Sequence, residues 1–527
     1  MTKYSVWILM AVVAIAMVAA PPADAASANM STASPQADTV VVTHPAGFPA
    51  RKAAVQSLHN QLVERQVAAA ETRALSVEIP ADTAKRISAP APAVGRLLVG
   101  AALPVSTSID LGGARHLATR TSLRDFGAIQ GTRDGGFVWS GVVNAPGASA
   151  VRLTFSGFDL PEGAALYVYG DNGQAAGPYT GNGPMGTGVL HTNTIFGDRV
   201  QVQLRQEGRP ARLPRELVLE SVGVMGPRFL KAMIPAADDT PRPSTKSFCS
   251  YNESCVQGAA CGTSNAVADA RQAVASILFQ SGGSFFICTG GLIADTGATQ
   301  TPFFLTANHC ISSNNVASTV ETYFDYVTTC SNPDCTQPYS NVGETVGATI
   351  LSGDSKTDHT LLQLASNPTT PDGTVAYLGW NSTAVANTNG VNLFRISHPS
   401  GAPQAYSEHS VDTVAGTCRT LPRGDFIYSN DTFGATEGGS SGSPVVDGNG
   451  HVVGLLYGAC GFNVNDVCDS ASNSTVDGAF AAYFGSVAQF LDPSGGPTCG
   501  AKGDSCTVDS DCCNNKCKGP SGGRTCK

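Results

Sequence analysis

The chain has 527 residues, too many for one core and enough for three or four folded units. Only 14% of them are charged, against 58 glycines and 31 prolines, a balance that favours short strands and turns over helices. The net charge of −9 is spread without blocks. That argues against a phosphate-binding surface, and so against nucleic acid as a partner.

Residues 1–25 read as a signal peptide. Lys3 opens it, Val6 to Ala20 is apolar, and Ala23-Asp24-Ala25 puts small residues where a signal peptidase reads. The apolar run is short for an anchor, so the expected destination is secretion, with no membrane contact after cleavage. Residues 26–95 are expected to form a flexible and helical pro-segment. The part up to about Pro49 is rich in Ala, Ser, Pro and Thr and should be flexible. Between Lys52 and Leu75, Val55, Leu58, Leu62 and Val67 recur near helical spacing and predict one amphipathic helix, ended by Pro80, Pro90 and Pro92.

Residues 96–225 read as strands. Val151 to Phe155, Ala165 to Tyr169 and Val200 to Leu204 are β-rich, and turn signals such as Pro161-Glu162-Gly163 and Gly170-Asp171-Asn172-Gly173 separate such runs. The spacing predicts an antiparallel β-sandwich. Its place in the chain suggests a propeptide domain; a permanently attached binding module is the alternative. Residues 226–248 carry Pro227, Pro235, Pro241 and Pro243 with Arg228, Lys231, Arg242 and Lys246, and read as an exposed, cleavable linker. A second large β-rich domain follows over 249–493, then a cysteine-dense tail over 494–527.

All sixteen cysteines lie beyond residue 248. No Cys-x-x-Cys pair is matched by a second pair or by histidines at zinc spacing, so disulfides are expected, and no metal or other cofactor.

Three segments of the second large domain carry chemistry. Phe303 to Cys310 (FFLTANHC) runs an apolar strand into His309. Thr357 to Leu364 opens an apolar strand with Asp358. Glu437 to Val446 (EGGSSGSPVV) places Ser441 on a glycine-rich turn. A serine hydroxyl needs a base to take its proton, an imidazole titrates near working pH, and a carboxylate can hold that imidazole in one tautomer. Glycines beside Ser441 let amide N–H groups converge on a developing oxyanion. Each segment alone is common; together, in the order His, Asp, Ser, they point to nucleophilic catalysis on an acyl group.

Thr306-Ala307-Asn308-His309-Cys310 and Gly439-Ser440-Ser441-Gly442-Ser443-Pro444 resemble the signatures of chymotrypsin-like serine proteases. Cys288 to Ile293, Asp358 to Leu362, Leu378 to Asn381, Ile396 to Pro399 and Gly438 to Pro444 are similar to stretches of bacterial lysyl endopeptidases. The resemblance implies a zymogen whose protease domain is a double β-barrel, acting on proteins or peptides as a monomer. Its other partner would be its own propeptide. The overall expectation is an all-β chain of sandwich, double barrel and small disulfide-rich module. The resemblance implies His309, Asp358 and Ser441 as the triad, and the Gly439 and Ser441 amides as the oxyanion hole. It also implies the disulfides Cys249–Cys460, Cys255–Cys330 and Cys288–Cys310. Lysyl endopeptidases hold an Asp in the specificity pocket where this chain has Thr475. Asp477, two residues along and on the same face of a strand, is the substitute expectation. Thr475, Asp477 and Gly458 are thus the expected substrate-binding residues, with cleavage after Lys or Arg left open. His359 and His398 read as structural.

The tail resembles a knottin, which implies Cys499–Cys513, Cys506–Cys517 and Cys512–Cys526. It could bind a surface or substrate, or inhibit another protease. The competing reading of the whole chain is a catalytically silent adhesin or binding protein working through the sandwich and tail.

Overall fold

Short runs of β-branched and aromatic residues in the first half pair into two facing sheets. One runs in the order Ala175–Tyr179, Ala164–Tyr169, Arg199–Gln206, Phe137–Asn144, Ala128–Gly131, Thr121–Leu123. In the other, Ala150–Ser156 pairs with Val218–Met225, which pairs with Leu97–Ser108. Val151, Leu153 and Phe155 from one sheet and Val200, Val202 and Leu204 from the other are buried between them, the inward alternation a sandwich requires. The structure, a computed structural model, describes residues 34–43, 49–214, 216–229, 233–234, 253–327, 337–338, 343–370, 373–418, 420–493, 516–520 and 524–527.

The second half builds two barrels, the second closed by its pairings and the first nearly so. In the first, Val274–Ser281 pairs with Ser284–Leu292, which pairs with Phe303–Ala307, which pairs with His359–Leu364. His359–Leu364 pairs with Ala348–Asp354, and Gly343–Val346 pairs with Glu321–Phe324, which returns to Val274–Ser281. Gly347, at φ +89°, is the corner through which the chain passes from Gly343–Val346 to Ala348–Asp354. In the second barrel, Asn392–Ser397, Ala405–Val411, Phe426–Phe433, Asn473–Ala479, Val452–Gly461 and Pro444–Asp447 pair in that order and back to the start. The helix Phe480–Leu491 then packs Phe480 and Phe484 against Trp380, with the Phe484 ring 4.9 Å away. This is a chymotrypsin-like double barrel beside an N-terminal sandwich.

Sandwich and first barrel share one sheet. Leu97–Ser108 pairs on its other side with Ser284–Leu292, matching Ala101 to Ser284 and Leu97 to Ile287. Leu97, Val99, Phe196, Met225, Leu278, Phe285 and Tyr323 bury a common apolar cluster there. Arg152 of the sandwich donates to the Thr319 carbonyl at 2.8 Å and lies 3.8 Å from the buried Glu321 carboxylate. That carboxylate also accepts from the Thr194 amide and hydroxyl. A buried carboxylate needs such partners on every side.

Two expectations about the pro-segment change. Residues 36–43 are not flexible: Gln36–Ala37 pairs with Trp380–Asn381, and Val40–Thr43 pairs with Thr374–Tyr377. Three consecutive valines and a threonine favour an extended strand, and this local preference outweighed the composition around it. The helix spans Pro49–Glu64 and the chain then turns through Ala68–Arg73 as a 3₁₀ helix, with Leu62 and Val67 buried. The proposed signal peptide lies outside the described residues, as do most of the linker and most of the tail. In the tail, Cys517 and Cys526 face each other on a two-stranded pair, and both are disulfide-bonded. Among the described residues no helix is long and apolar enough to cross a membrane.

Candidate active site

Strand register brings the first two functional side chains together. Phe303–Ala307 lies antiparallel to His359–Leu364 with Ala307 opposite His359, so Asn308-His309 and Asp358 leave the sheet at the same end. Asp358 sits at φ +54°, a left-handed conformation that aspartate tolerates better than most residues. Its carbonyl accepts from the Asn308 amide, and its carboxylate turns onto His309. Oδ2 lies 2.7 Å from His309 Nδ1, and Oδ1 accepts from the His309 amide at 2.8 Å. Both carboxylate oxygens are therefore spent on one residue. The proton is held on Nδ1, which leaves Nε2 as the basic nitrogen. The Tyr457 ring stands edge-on to the imidazole, 5.7 Å between centres.

Ser441 comes from the second barrel, on the turn before Pro444–Asp447. Its carbonyl accepts from the Thr289 amide at 2.8 Å, tying the turn to the first barrel beside Cys288. Gly442, at φ +84°, allows the approach: a Cβ there would lie 2.7 Å from the Ala307 amide nitrogen. His309 Nε2 is buried and without a hydrogen-bonding partner, so the link from His309 to Ser441 is open in this structure.

What fills the cleft is the N-terminal region. Pro92 and Gly95, with a bend between them, lie against the glycine-rich turn. Gly438 donates to the Pro92 carbonyl at 3.0 Å and Gly439 donates to the Gly95 carbonyl at 2.9 Å. Gly439 has φ +101°, which turns its amide out of the loop. The Val94 side chain covers Gly458: a Cβ on that glycine would be 3.6 Å from Val94 Cβ. Val94 also lines a pocket with Asp431, Thr436, Ala459, Ser474 and Thr475. Thr475 Oγ1 donates to Asp431 Oδ1 at 2.8 Å. Burial pushes the Asp431 carboxyl above its usual range, opposed by Arg395 and the Thr475 hydroxyl.

Thr475 and Gly458 thus lie at the pocket, whereas Asp477 does not. Asp477 is fully buried inside the barrel with its Oδ1 3.0 Å from Arg395 Nη1, and His409 lies beyond the same guanidinium. Burial raises its pKa to about 6 against the opposing charge of Arg395. Strand alternation gave the right face, but two residues further along the strand that face is the barrel interior. The expectation of Asp477 as a substrate-binding residue is corrected.

Residues 248–472 match the family described as lysyl endopeptidase, C-terminal domain. Over this region the chain is similar to lysyl endopeptidases. The chain is a serine endopeptidase acting on protein substrates. It is 28% identical to a lysyl endopeptidase of Pseudomonas aeruginosa over 445 residues, covering 80% of this chain and 87% of that protein. It is also 31% identical over 205 residues to secreted RxLR effector protein 73 of Plasmopara viticola, covering 38% of this chain and 48% of that protein. Among solved structures it is similar to an HtrA-type protease with a tripeptide (TM-score 0.31, 16% identity, 46% of this chain and 69% of that chain). A serine endoprotease from Yersinia pestis is similar at TM-score 0.29 and 17% identity, over 44% of this chain and 68% of that chain.

The matched region holds Cys288 bonded to Cys310, which joins the strand beside Ser441's turn to the residue after His309. His309 lies close to both sulfurs, but these are bonded to each other and offer no thiolate to a metal. Two expected disulfides are corrected. Cys460 pairs with Cys418 rather than Cys249, and Cys255 pairs with Cys468 rather than Cys330. The reason is topological. Thr417, the residue before Cys418, borders one cleft with Cys460-Gly461 and the loop after them. Cys261 is also disulfide-bonded. Cys249, Cys330, Cys499, Cys506, Cys512 and Cys513 lie outside the described residues.

His359 and His398 are packing residues. His359 stacks on Tyr483 with ring centres 4.2 Å apart and bonds Thr357, and burial lowers its pKa to about 4. His398 stacks on Tyr326 and donates from Nδ1 to the Ala402 carbonyl, its pKa also lowered by burial to about 4.

Sequence reasoning missed the cleft-filling segment and Asp431. Both had signals. The residue before a proline is held extended, so Ala91-Pro92 favours a chain fit for a cleft. Ile427, Ser429 and Asp431 alternate along one strand, which marks a carboxylate on the face shared with Thr475.

Proposed function

We propose that the chain is the precursor of a secreted serine endopeptidase that cuts after basic residues, with His309, Asp358 and Ser441 as base, orienting carboxylate and nucleophile. Ser441 Oγ adds to the scissile carbonyl while its proton passes to His309 Nε2. The carbonyl π electrons move to oxygen, where the Gly439 and Ser441 amides receive them. Collapse expels the amine, which takes the proton from His309, and leaves an acyl ester on Ser441. Water, deprotonated by the same imidazole, repeats the addition, and collapse returns the proton to Ser441 Oγ. The observation that carries this reading is the two-point hold of Asp358 on His309, which fixes the tautomer the first step needs.

The precursor state is supported by Pro92–Gly95. A productive substrate presents one residue whose side chain fills the pocket and whose own carbonyl meets the oxyanion amides. Here Val94 lies at the pocket while the carbonyl of the next residue, Gly95, meets Gly439. That offset register fills the cleft without offering a bond to cut. The leader over residues 1–25 and the disulfides support secretion.

The test is the mass and N-terminus of the protein from the culture medium, for wild type and Ser441→Ala. The reading expects a wild-type N-terminus between about residues 227 and 249 and an unprocessed Ser441→Ala precursor. Identical full-length products from both would remove the zymogen.

A further inference from the structure

We infer that Asp431 is the carboxylate that reads the basic side chain of the substrate, in place of a carboxylate at Thr475. The inference rests on the proposed cleavage after Lys or Arg and assigns the residue responsible.

The pocket beside the candidate site is covered on one face by Val94; its other walls include Thr436, Ala459 and Thr475, the apolar Val464 and Val467, and the polar Asn473. Such walls suit the methylenes of a long unbranched side chain and leave its charged end to the carboxylates. Asp431 and Asp469 are the carboxylates at this pocket. Asp469 is already engaged, accepting from the Asn463 side chain and the Ser472 amide. Asp431 accepts from the Thr475 hydroxyl through Oδ1, a bond that aims the carboxylate without neutralising it. Arg395 could have neutralised it, but its guanidinium is committed to Asp477, 3.0 Å away.

The result is a partly buried, orientated carboxylate whose nearest cation is already paired. Burial works against its charge, and an incoming ammonium or guanidinium relieves that cost. Val94 cannot do so: its side chain ends at Cγ, several atoms short of a lysine Nζ. The same geometry explains how Thr475 occupies the wall without loss of charge from the pocket. The carboxylate comes from the adjoining strand, where Ser429 pairs with Thr475 two residues earlier.

The test compares activated wild type with Asp431→Asn on peptides that differ only at the residue before the cut: lysine, arginine or norleucine, an uncharged match for lysine. Active sites are counted with an organophosphonate. The expected wild-type preference for lysine over norleucine in kcat/KM is at least about 100-fold, falling below about 10-fold in Asp431→Asn. Asp431→Asn/Thr475→Asp should recover a preference for basic residues, because the charge moves by one hydrogen bond. If Asp431→Asn gives no countable sites, Asp431→Glu carries the test, since one added methylene must shift the lysine-to-arginine ratio. A wild type selective for lysine whose selectivity survives Asp431→Asn, or whose lysine-to-arginine ratio is untouched in Asp431→Glu, overturns the assignment and leaves basic-residue cleavage standing. A wild type indifferent to lysine overturns both.

Discussion

The Gly95 carbonyl oxygen lies 2.9 Å from the Gly439 amide nitrogen and accepts its hydrogen. An amide proposed to stabilise an oxyanion is thus occupied by the chain's own N-terminal region, and Val94 covers Gly458 beside it. The segment is held in place by a shared sheet, since Leu97–Ser108 continues it into the first barrel.

The blocked cleft predicts slow reaction of the precursor with serine-directed reagents. Val94→Glu, which sets a second carboxylate toward Asp431, should loosen the segment. Its precursor is expected to react with an organophosphonate about 10-fold faster than the wild-type precursor, as read by the rate of adduct formation. Equal rates would mean that residues 92–95 do not guard the site.

Asp358 holds the imidazole through two contacts. Asp358→Asn in the activated enzyme should lower kcat by about 10⁴-fold at neutral pH, because the amide favours the wrong tautomer. The check is kcat on a peptide substrate, with circular dichroism confirming the fold. A loss below about 10-fold would separate Asp358 from the chemistry.

Much of this was readable in advance, and the failures have physical causes. The sandwich strands and the three motif segments stood out because local propensity, periodicity and turn chemistry agree along them. What was lost depends on long-range pairing. The partners of Cys255 and Cys460 follow from which loops share a barrel end, which spacing does not encode. Asp477 lies on the face expected for a pocket residue, but at its position that face is the barrel interior, where it meets Arg395. Val40–Thr43 had a strand's composition inside a segment whose average argued otherwise.

The buried histidines predict a pH slope. His359 and His398, both at about 4 by burial, are neutral in the folded protein and protonate near 6.5 once unfolded. Between those values the unfolded state binds more protons, so each adds stability that is full above about pH 6.5 and is lost as pH falls toward 4. Asp477, raised to about 6, acts in the opposite sense. In a Ser441→Ala background, His359→Gln should flatten the urea-unfolding stability curve by about 1.4 kcal/mol per pH unit between pH 4.5 and 6 relative to the parent. Parallel curves would contradict a buried neutral His359.

The Cys288–Cys310 bond closes a segment of sequence separation 22 around the strand that delivers His309. Replacing both cysteines by serine should cost about 3 kcal/mol of stability by loop closure. It should also lower kcat, because the residue after His309 is no longer tethered. Unfolding midpoints and kcat on the double variant check the two effects separately.

The most direct measurement is the intact mass of the activated enzyme after treatment with an organophosphonate, followed by peptide mapping. One adduct per chain, on Ser441, with activity lost in proportion, is the predicted result. Full labelling at another residue, or undiminished hydrolysis by an activated Ser441→Ala protein, would contradict the assignment of the nucleophile and with it the reaction described above.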